Sequence, residues 1–234
     1  MKFCYFRESS SYIGTMVSPT EENYLKALFH LSHENGDVSV KDLSDQLSIK
    51  MPTATSMMKK LAEKGLVHYE SYKPLKLTSR GLKEAGLIVR KHRLTEMFLA
   101  EKMGFSWEEV HEIAEQVEHV HSPLFFERMD KLLGYPKIDP HGSPIPDHEG
   151  NVENPKYTKL SDCKTGDKFT LLAVANSSEE FLHYLNSHRL KLDTEITVLS
   201  VEAFDASMTV SYGNIPQATL GEAACKNLLG RRAR

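Results

Sequence analysis

Residues 39–77 read SVKDLSDQLSIKMPTATSMMKKLAEKGLVHYESYKPLKL, and this stretch decides the fold of the N-terminal part of the chain. Ser39 and Asp42 have the spacing of a capping box, which predicts the start of a short helix. A four-residue turn over 48–51 follows, and Pro52 is suited to the first position of a second helix. Two short extended runs around a turn come next. A short helix, a turn, a second helix and a hairpin in this order are typical of a winged helix-turn-helix.

This arrangement predicts which side chains would meet DNA. The second helix of such a motif lies in the major groove, where its N-terminal residues reach base edges and nearby lysines pair with phosphates. We expect a symmetric dimer, because a single recognition helix contacts few base pairs. The predicted DNA contacts are Lys50, Pro52, Thr53, Thr55, Ser56, Lys59 and Lys60 around the second helix, with Lys73 and Lys76 on the wing.

The charge of the chain is unevenly distributed. The 234 residues carry a formal net charge of −3 at pH 7, so the chain as a whole is not polybasic. Residues 16–91 nevertheless carry +3, and residues 92–130 carry −6. The three cysteines are far apart, and no apolar run approaches the roughly 20 residues that span a bilayer. These features predict a cytoplasmic protein without a membrane segment or a disulfide framework.

Histidines and carboxylates recur at helical spacing in the acidic segment. Carboxylate and imidazole ligands without a thiolate suit Mn²⁺ or Fe²⁺ better than a metal that prefers sulfur. An exposed acidic helix with incidental histidines would produce one such pair, but two sets on consecutive helices favour a metal site. The two sets are His92 with Glu96, and His111 with Glu115, Glu118 and His119.

The expected fold is mainly α with a small β domain. A segment rich in proline and glycine separates a helical part from a part whose hydrophobic period is two. We predict a winged helix-turn-helix, a helical metal-binding and dimerisation domain, and a C-terminal SH3-like β barrel. The predicted divisions are an extension over 1–15, domains over 16–78 and 79–146, a linker over 147–156 and a β domain over 157–234.

Four stretches of the chain resemble the diphtheria-toxin-repressor (DtxR/MntR) family of metal-dependent transcriptional regulators. They are TEENYL at 20–25, RKHRLTE at 90–96, VHEIAEQVEH at 110–119 and DPHGSPIP at 139–146. The resemblance covers residues 16–146 strongly, and the β domain resembles the SH3-like, FeoA-like module of that family more weakly.

The resemblance implies two metal ions per protomer. His92, Glu96 and His111 match an ancillary site, with Glu180 of the β domain as a further match. Glu115, Glu118 and His119 match the primary site, and Asn23 stands where relatives supply a Met or Asp ligand. Iron-responsive members have cysteine at the position of Glu115 and manganese-responsive members have glutamate, so this residue favours Mn²⁺ over Fe²⁺.

The expected function is that of a manganese-dependent repressor that binds palindromic operator DNA as a homodimer and controls metal-uptake genes. We expect metal to tie Asn23 to the helices that carry the other ligands and so to set the spacing of the recognition helices. An Fe²⁺-responsive repressor of the same build is one alternative. A helical carboxylate and histidine metalloenzyme is another, but the chain has no activated nucleophile or motif for a small-molecule substrate, so we predict no enzymatic activity.

Overall fold

The computed structural model describes residues 17–153 and 155–233, which form two compact units divided between Leu82 and Lys83. The predicted extension over 1–15 lies outside the described residues. The first unit contains α1 (Pro19–Asn35), α2 (Val40–Gln46), α3 (Met51–Glu63), β1 (Val67–His68) and β2 (Lys76–Leu77). The two short strands pair antiparallel, with Val67 opposite Leu77. The order of elements is therefore that of the predicted winged helix-turn-helix.

Local hydrogen bonds define where these helices begin. Ser39 and Asp42 form the predicted capping box of α2. Thr20 with Glu22 and Asn23 predicts the start of α1, but Ser18, two residues earlier, caps the helix in a reciprocal pair with Glu21. Pro52 is the second residue of α3 rather than the first. Its missing N–H still costs no hydrogen bond there, because the first turn of a helix has no acceptor for it.

The second unit begins in α4 (Ser79–Phe98), which continues into one π turn at Leu99–Met103. Two further helices follow, α5 (Val110–Val117) and α6 (Pro123–Leu132). Ser106 and the two glutamates after Trp107 are typical of an N-cap and predict a helix from Ser106 to about His121, which is longer than α5. Ser106 instead forms a reciprocal turn with Glu109, to which both its backbone N–H and its hydroxyl donate. Because α5 ends at Val117, Glu118 is its C-cap residue.

The proline- and glycine-rich segment after α6 packs along α4. Arg90 donates to the carbonyl of Pro146 and forms a 2.5 Å ion pair with Asp130. One turn before Arg90 on α4, Gly86 lies against the backbone of Gly150, where a Cβ would come within 2.0 Å of the carbonyl oxygen. Glycine at position 86 is therefore a packing requirement, although the residue weakens the helix locally.

The elements of the β domain are β3 (Thr158–Lys159), a 3-10 turn (Leu160–Asp162), β4 (Lys168–Val174), α7 (Glu179–Ser187), β5 (Glu195–Val201), β6 (Met208–Tyr212), β7 (Ile215–Leu220), α8 (Glu222–Asn227) and β8 (Leu228–Ala233). The strands form a six-stranded antiparallel sheet in the order β3-β8-β4-β5-β6-β7, and the buried residues form one apolar core. A hydrophobic period of two predicts strands over 168–175, 195–201 and 208–212, and these are present as β4, β5 and β6. The other strands and α8 were not predicted.

Among the described residues, every helix is too short or too polar to cross a membrane.

Candidate metal centre and DNA-binding face

His92 lies at the centre of the metal-ligand candidates. It is buried in the middle of α4, and each of its ring nitrogens faces a carboxylate. Nε2 lies 2.9 Å from Oε1 of Glu96, one helical turn further along α4. Nδ1 lies 2.6 Å from Oε2 of Glu118, which follows α5. The imidazole thus joins two residues that the family resemblance had assigned to separate sites.

The remaining candidates on α5 extend this arrangement. Nδ1 of His111 lies 3.2 Å from Nε2 of His92 and 3.3 Å from Oε1 of Glu96. Nε2 of His111 lies 3.6 Å from Oε1 of Glu115. The structure therefore brings together two ligand groups, His92 with Glu96 and His111, and His92 with Glu115 and Glu118.

A third group includes two residues that sequence reasoning missed. Glu96, Asp139 and His141 are all buried, and their ligand atoms also lie close together. Nδ1 of His141 is 3.7 Å from Oε2 of Glu96, while its Nε2 is 2.8 Å from the carbonyl oxygen of Trp107. Asp139 and His141 both lie in the DPHGSPIP stretch. Their spacing of two residues is the signal that could have marked them as candidate ligands.

The electrostatics of this third group favour negative charge on Glu96. Burial would raise the pKa of Glu96, but the neighbouring His92, His111 and His141 outweigh burial and hold that pKa well below its usual value. The pKa of Asp139 is shifted in the opposite direction. Burial and the charge of Glu96 raise its pKa to about 6, although Arg93 at 3.5 Å opposes the shift.

Three other predicted ligands belong to none of the three groups around His92 and Glu96. Nε2 of His119 lies 3.8 Å from Oε1 of Glu118, in the turn beyond α5. Glu180 is exposed on α7 and belongs to none of the three ligand groups found among the described residues. Asn23 lies on α1 in the first unit, where its buried Oδ1 accepts no hydrogen bond within the described part of the chain.

The residues present fit a divalent cation that prefers oxygen and nitrogen. Within each group the ligand atoms lie within 4.8 Å of one another. Ligand oxygens sit roughly 2.0–2.6 Å from such an ion, so two ligands of one ion are at most about 5 Å apart. None of these groups includes a thiolate from the described part of the chain. Cys163 and Cys225 are buried in the β domain, and burial raises the pKa of each thiol to about 11.

The predicted DNA contacts form an exposed surface on the first unit. Lys50, Thr53, Ser56 and Lys59 are exposed, whereas Thr55 is half-buried. Thr55 lines a groove of about 550 Å³ between the wing and the helices, and Lys73 of the wing lines it too. The opposite face of α3 is buried through Ala54, Met58 and Leu61.

Lys60 pairs with an acid on another helix, since its ammonium lies 3.2 Å from a carboxylate oxygen of Glu21, whereas Lys73 pairs at 2.8 Å with Glu70 on its own wing. Burial would raise the pKa of Glu21, but hydrogen bonds from Lys64, from the backbone of Ser18 and from Lys60 lower it to about 2. Glu21 therefore carries a negative charge in the neutral pH range. The sequence offered no indication of this long-range pair.

Three family models match the chain. Residues 16–75 match the model described as the iron dependent repressor N-terminal DNA binding domain. Residues 78–147 match the iron dependent repressor metal binding and dimerisation domain, and residues 158–232 match the FeoA domain. Together these matches account for most of the chain.

Individual relatives carry the names of both iron and manganese regulators. The iron-dependent repressor IdeR of Mycobacterium leprae is 30% identical over 154 residues, which are 63% of this chain and 67% of that protein. The HTH-type transcriptional regulator MntR of Bacillus subtilis is 32% identical over 51% of this chain and 84% of its own length. A solved manganese-dependent transcriptional repressor in complex with manganese has a TM-score of 0.81 at 34% identity, covering 90% of this chain and 98% of that one.

Proposed function

Because this chain belongs to the DtxR/MntR family of metal-dependent transcriptional repressors, we propose that it is a manganese-dependent member. It binds palindromic operator DNA as a homodimer in the cytoplasm and controls genes for metal uptake. The observation that carries the choice of metal is Glu115, a carboxylate within the group of His92, Glu115 and Glu118, at the position where iron-responsive members of the family have cysteine. Such a ligand set suits Mn²⁺, and the manganese-bound repressor among the similar structures supports this choice.

Two ions per protomer are compatible with the three ligand groups. His92 belongs to two of the groups and Glu96 to two, so all three groups cannot be filled independently. The group of His92, Glu115 and Glu118 shares no residue with the group of Glu96, Asp139 and His141. We propose that these two groups hold the ions, with His111 and His119 as additional ligands, so that His92 and Glu96 belong to different sites, although the resemblance placed them in one. A bound cation supplies positive charge that offsets the repulsion among the buried carboxylates.

Operator binding is supported by the exposed polar end of α3. Lys50, the N-cap residue, makes no side-chain capping hydrogen bond. The positive end of the helix dipole therefore favours a phosphate there. Thr53 and Ser56 lie one turn apart on the exposed side of the helix and would reach base edges.

A homodimer is supported by apolar side chains that remain exposed on α6. Leu124, Phe125 and Leu132 are exposed, whereas Phe126 and Met129 of the same helix are buried in the core. A helix with apolar residues on both faces has a second surface available for association.

The decisive experiment is a selection from a random library of DNA duplexes, with and without Mn²⁺. We expect enrichment of a two-fold symmetric sequence only when Mn²⁺ is present. Parallel anaerobic titrations with Fe²⁺ separate the manganese regulator from an iron regulator. Enrichment that does not depend on metal would contradict the proposal.

Glu118→Ala tests the assignment of the metal ligands. This variant should lose metal-dependent binding of the selected duplex while it keeps its helical content and its dimeric state, because only the ligand is removed. Glu112→Ala, on the exposed side of α5, is the matched control and should bind as the unchanged protein does. Metal-dependent binding that survives Glu118→Ala would overturn the assignment.

A further inference from the structure

The carboxylate of Glu21 connects the first turn of α1 to the last turn of α3. Its side chain is only 1% exposed. Oε2 accepts hydrogen bonds from the backbone of Ser18 at 2.7 Å and from Nζ of Lys64 at 2.8 Å. Oε1 lies 3.2 Å from Nζ of Lys60. Since Lys60 and Lys64 are one helical turn apart, one acidic group binds the C-terminal end of α3 at two points.

These contacts are directional, unlike the hydrophobic effect that buries the apolar face of α3. Ala54, Met58 and Leu61 bury one side of the helix, and the hydrophobic effect that favours this burial is not itself directional. Ion pairs and hydrogen bonds depend on direction. On a helix about 20 Å long, a tilt of about 5° at one end moves the other end by roughly 1.7 Å. A shift of that size would disturb the hydrogen bonds of Thr53 and Ser56 to base edges.

The negative charge of Glu21 does not itself favour binding to DNA. A carboxylate in a DNA-binding unit repels phosphates and partly cancels the two lysines that it binds. Lys60 is 56% exposed, yet its ammonium is already directed at Glu21. Lys59, the residue before it, is exposed and has no such acidic partner among the ion pairs of the described residues.

We propose that Glu21 is a positioning residue for the recognition helix, and that Lys60 contributes to DNA binding through Glu21 rather than as a phosphate ligand. This inference rests on the proposed function, because it concerns binding to the operator. It changes one of the contacts predicted from the sequence and leaves Lys59 as the phosphate-binding lysine of this turn.

Glu21→Gln separates positioning from charge. Removing a negative charge alone would tighten binding to any DNA. Loss of positioning instead predicts that affinity for the Mn²⁺-selected duplex falls about tenfold, the size of one lost base contact, while affinity for a scrambled duplex is unchanged or rises. A variant whose two affinities rise together, or whose specific affinity is unchanged, overturns the proposal.

Lysine variants provide a second test that does not require Glu21 to be altered. Each lost phosphate contact reduces the slope of log K against log salt by about 0.9. We expect Lys59→Gln to reduce the slope by this amount, and Lys60→Gln to weaken specific binding with the slope unchanged. If Lys60→Gln lowers the slope equally, or leaves affinity unchanged, the proposal is wrong.

The two tests also distinguish this inference from the proposed function. If the unchanged protein selects no duplex with Mn²⁺, the proposed function fails before any variant is compared. If it selects one and the variants behave as simple charge changes, only the role of Glu21 fails. Thermal unfolding of each variant identifies any that does not fold, in which case Lys60→Gln alone decides the question.

Discussion

At the scale of single residues, Gly86 shows how close packing overrides helix propensity. Alanine is the better helix former by up to about 1 kcal/mol, so Gly86→Ala should stabilise an isolated α4. In the folded protein the added methyl group meets the carbonyl of Gly150. We therefore expect the free energy of unfolding in urea to fall by about 1–3 kcal/mol, the usual cost of overpacking. Glu84→Ala in the same helix should change the free energy of unfolding by less than about 0.5 kcal/mol. Equal losses in Gly86→Ala and Glu84→Ala would contradict this explanation.

A second prediction at this scale concerns the effect of the side chain at position 115 on metal preference. Glu115→Cys replaces a hard oxygen by a sulfur that softer metals prefer. We expect the concentration of Mn²⁺ needed for half-maximal duplex binding to rise relative to that of Fe²⁺ or Co²⁺. Anaerobic titrations of both proteins measure this ratio. Glu115→Gln controls for loss of charge without a thiolate, and an unchanged metal preference in Glu115→Cys would remove this residue from the ligand set.

At the scale of elements, helix α6 should decide the state of association. Its exposed Leu124 and Phe125 would be buried between two copies, and a charge there would be costly to bury. We predict that Phe125→Glu dissociates the dimer, measured by sedimentation velocity over a range of protein concentrations. Phe125→Leu should remain dimeric as the matched control. A dimer that is indifferent to Phe125→Glu would place the interface on another element.

Element starts could be predicted from the sequence wherever the hydrogen bonds are local. The capping box of Ser39 and Asp42 lies within four residues of chain and formed as expected. Strand β8 could not be predicted, because it contains two arginines and a glycine. Gly230 is needed there because a Cβ would lie 1.9 Å from the carbonyl of Thr170 on β4. A contact of that kind depends on chain far away in the sequence.

At the scale of the whole molecule, metal binding should be visible as stability. A ligand that binds only the folded protein stabilises it by about 2.7 kcal/mol when its free concentration is 100 times Kd. We expect Mn²⁺ to raise the thermal unfolding midpoint and a chelator to reverse the effect. Glu118→Ala should lose most of the increase. Mg²⁺ serves as a control for non-specific charge screening, and a midpoint that does not respond to Mn²⁺ would contradict the proposed metal centre.

The candidate metal site was partly accessible from the sequence. Helical spacing identified His92 with Glu96, and His111 with Glu115, because residues four apart share a helix face. It could not show that His92 also faces Glu118, 26 residues away, nor that Asp139 and His141 come to the same place. Those contacts arise from the packing of α5 and the proline-rich segment against α4.

The sequence by itself determined the helix-turn-helix and wing in their order, three strands of the β domain, and the kinds of candidate metal ligand. These features depend on caps, periodicity and side-chain chemistry within a few residues. Only the tertiary structure decided which ligands share a group, why position 86 is glycine, and that Lys60 faces Glu21 instead of solvent alone. The physical reason is that such contacts join residues far apart in the chain, and their geometry is set by packing between elements rather than by local spacing.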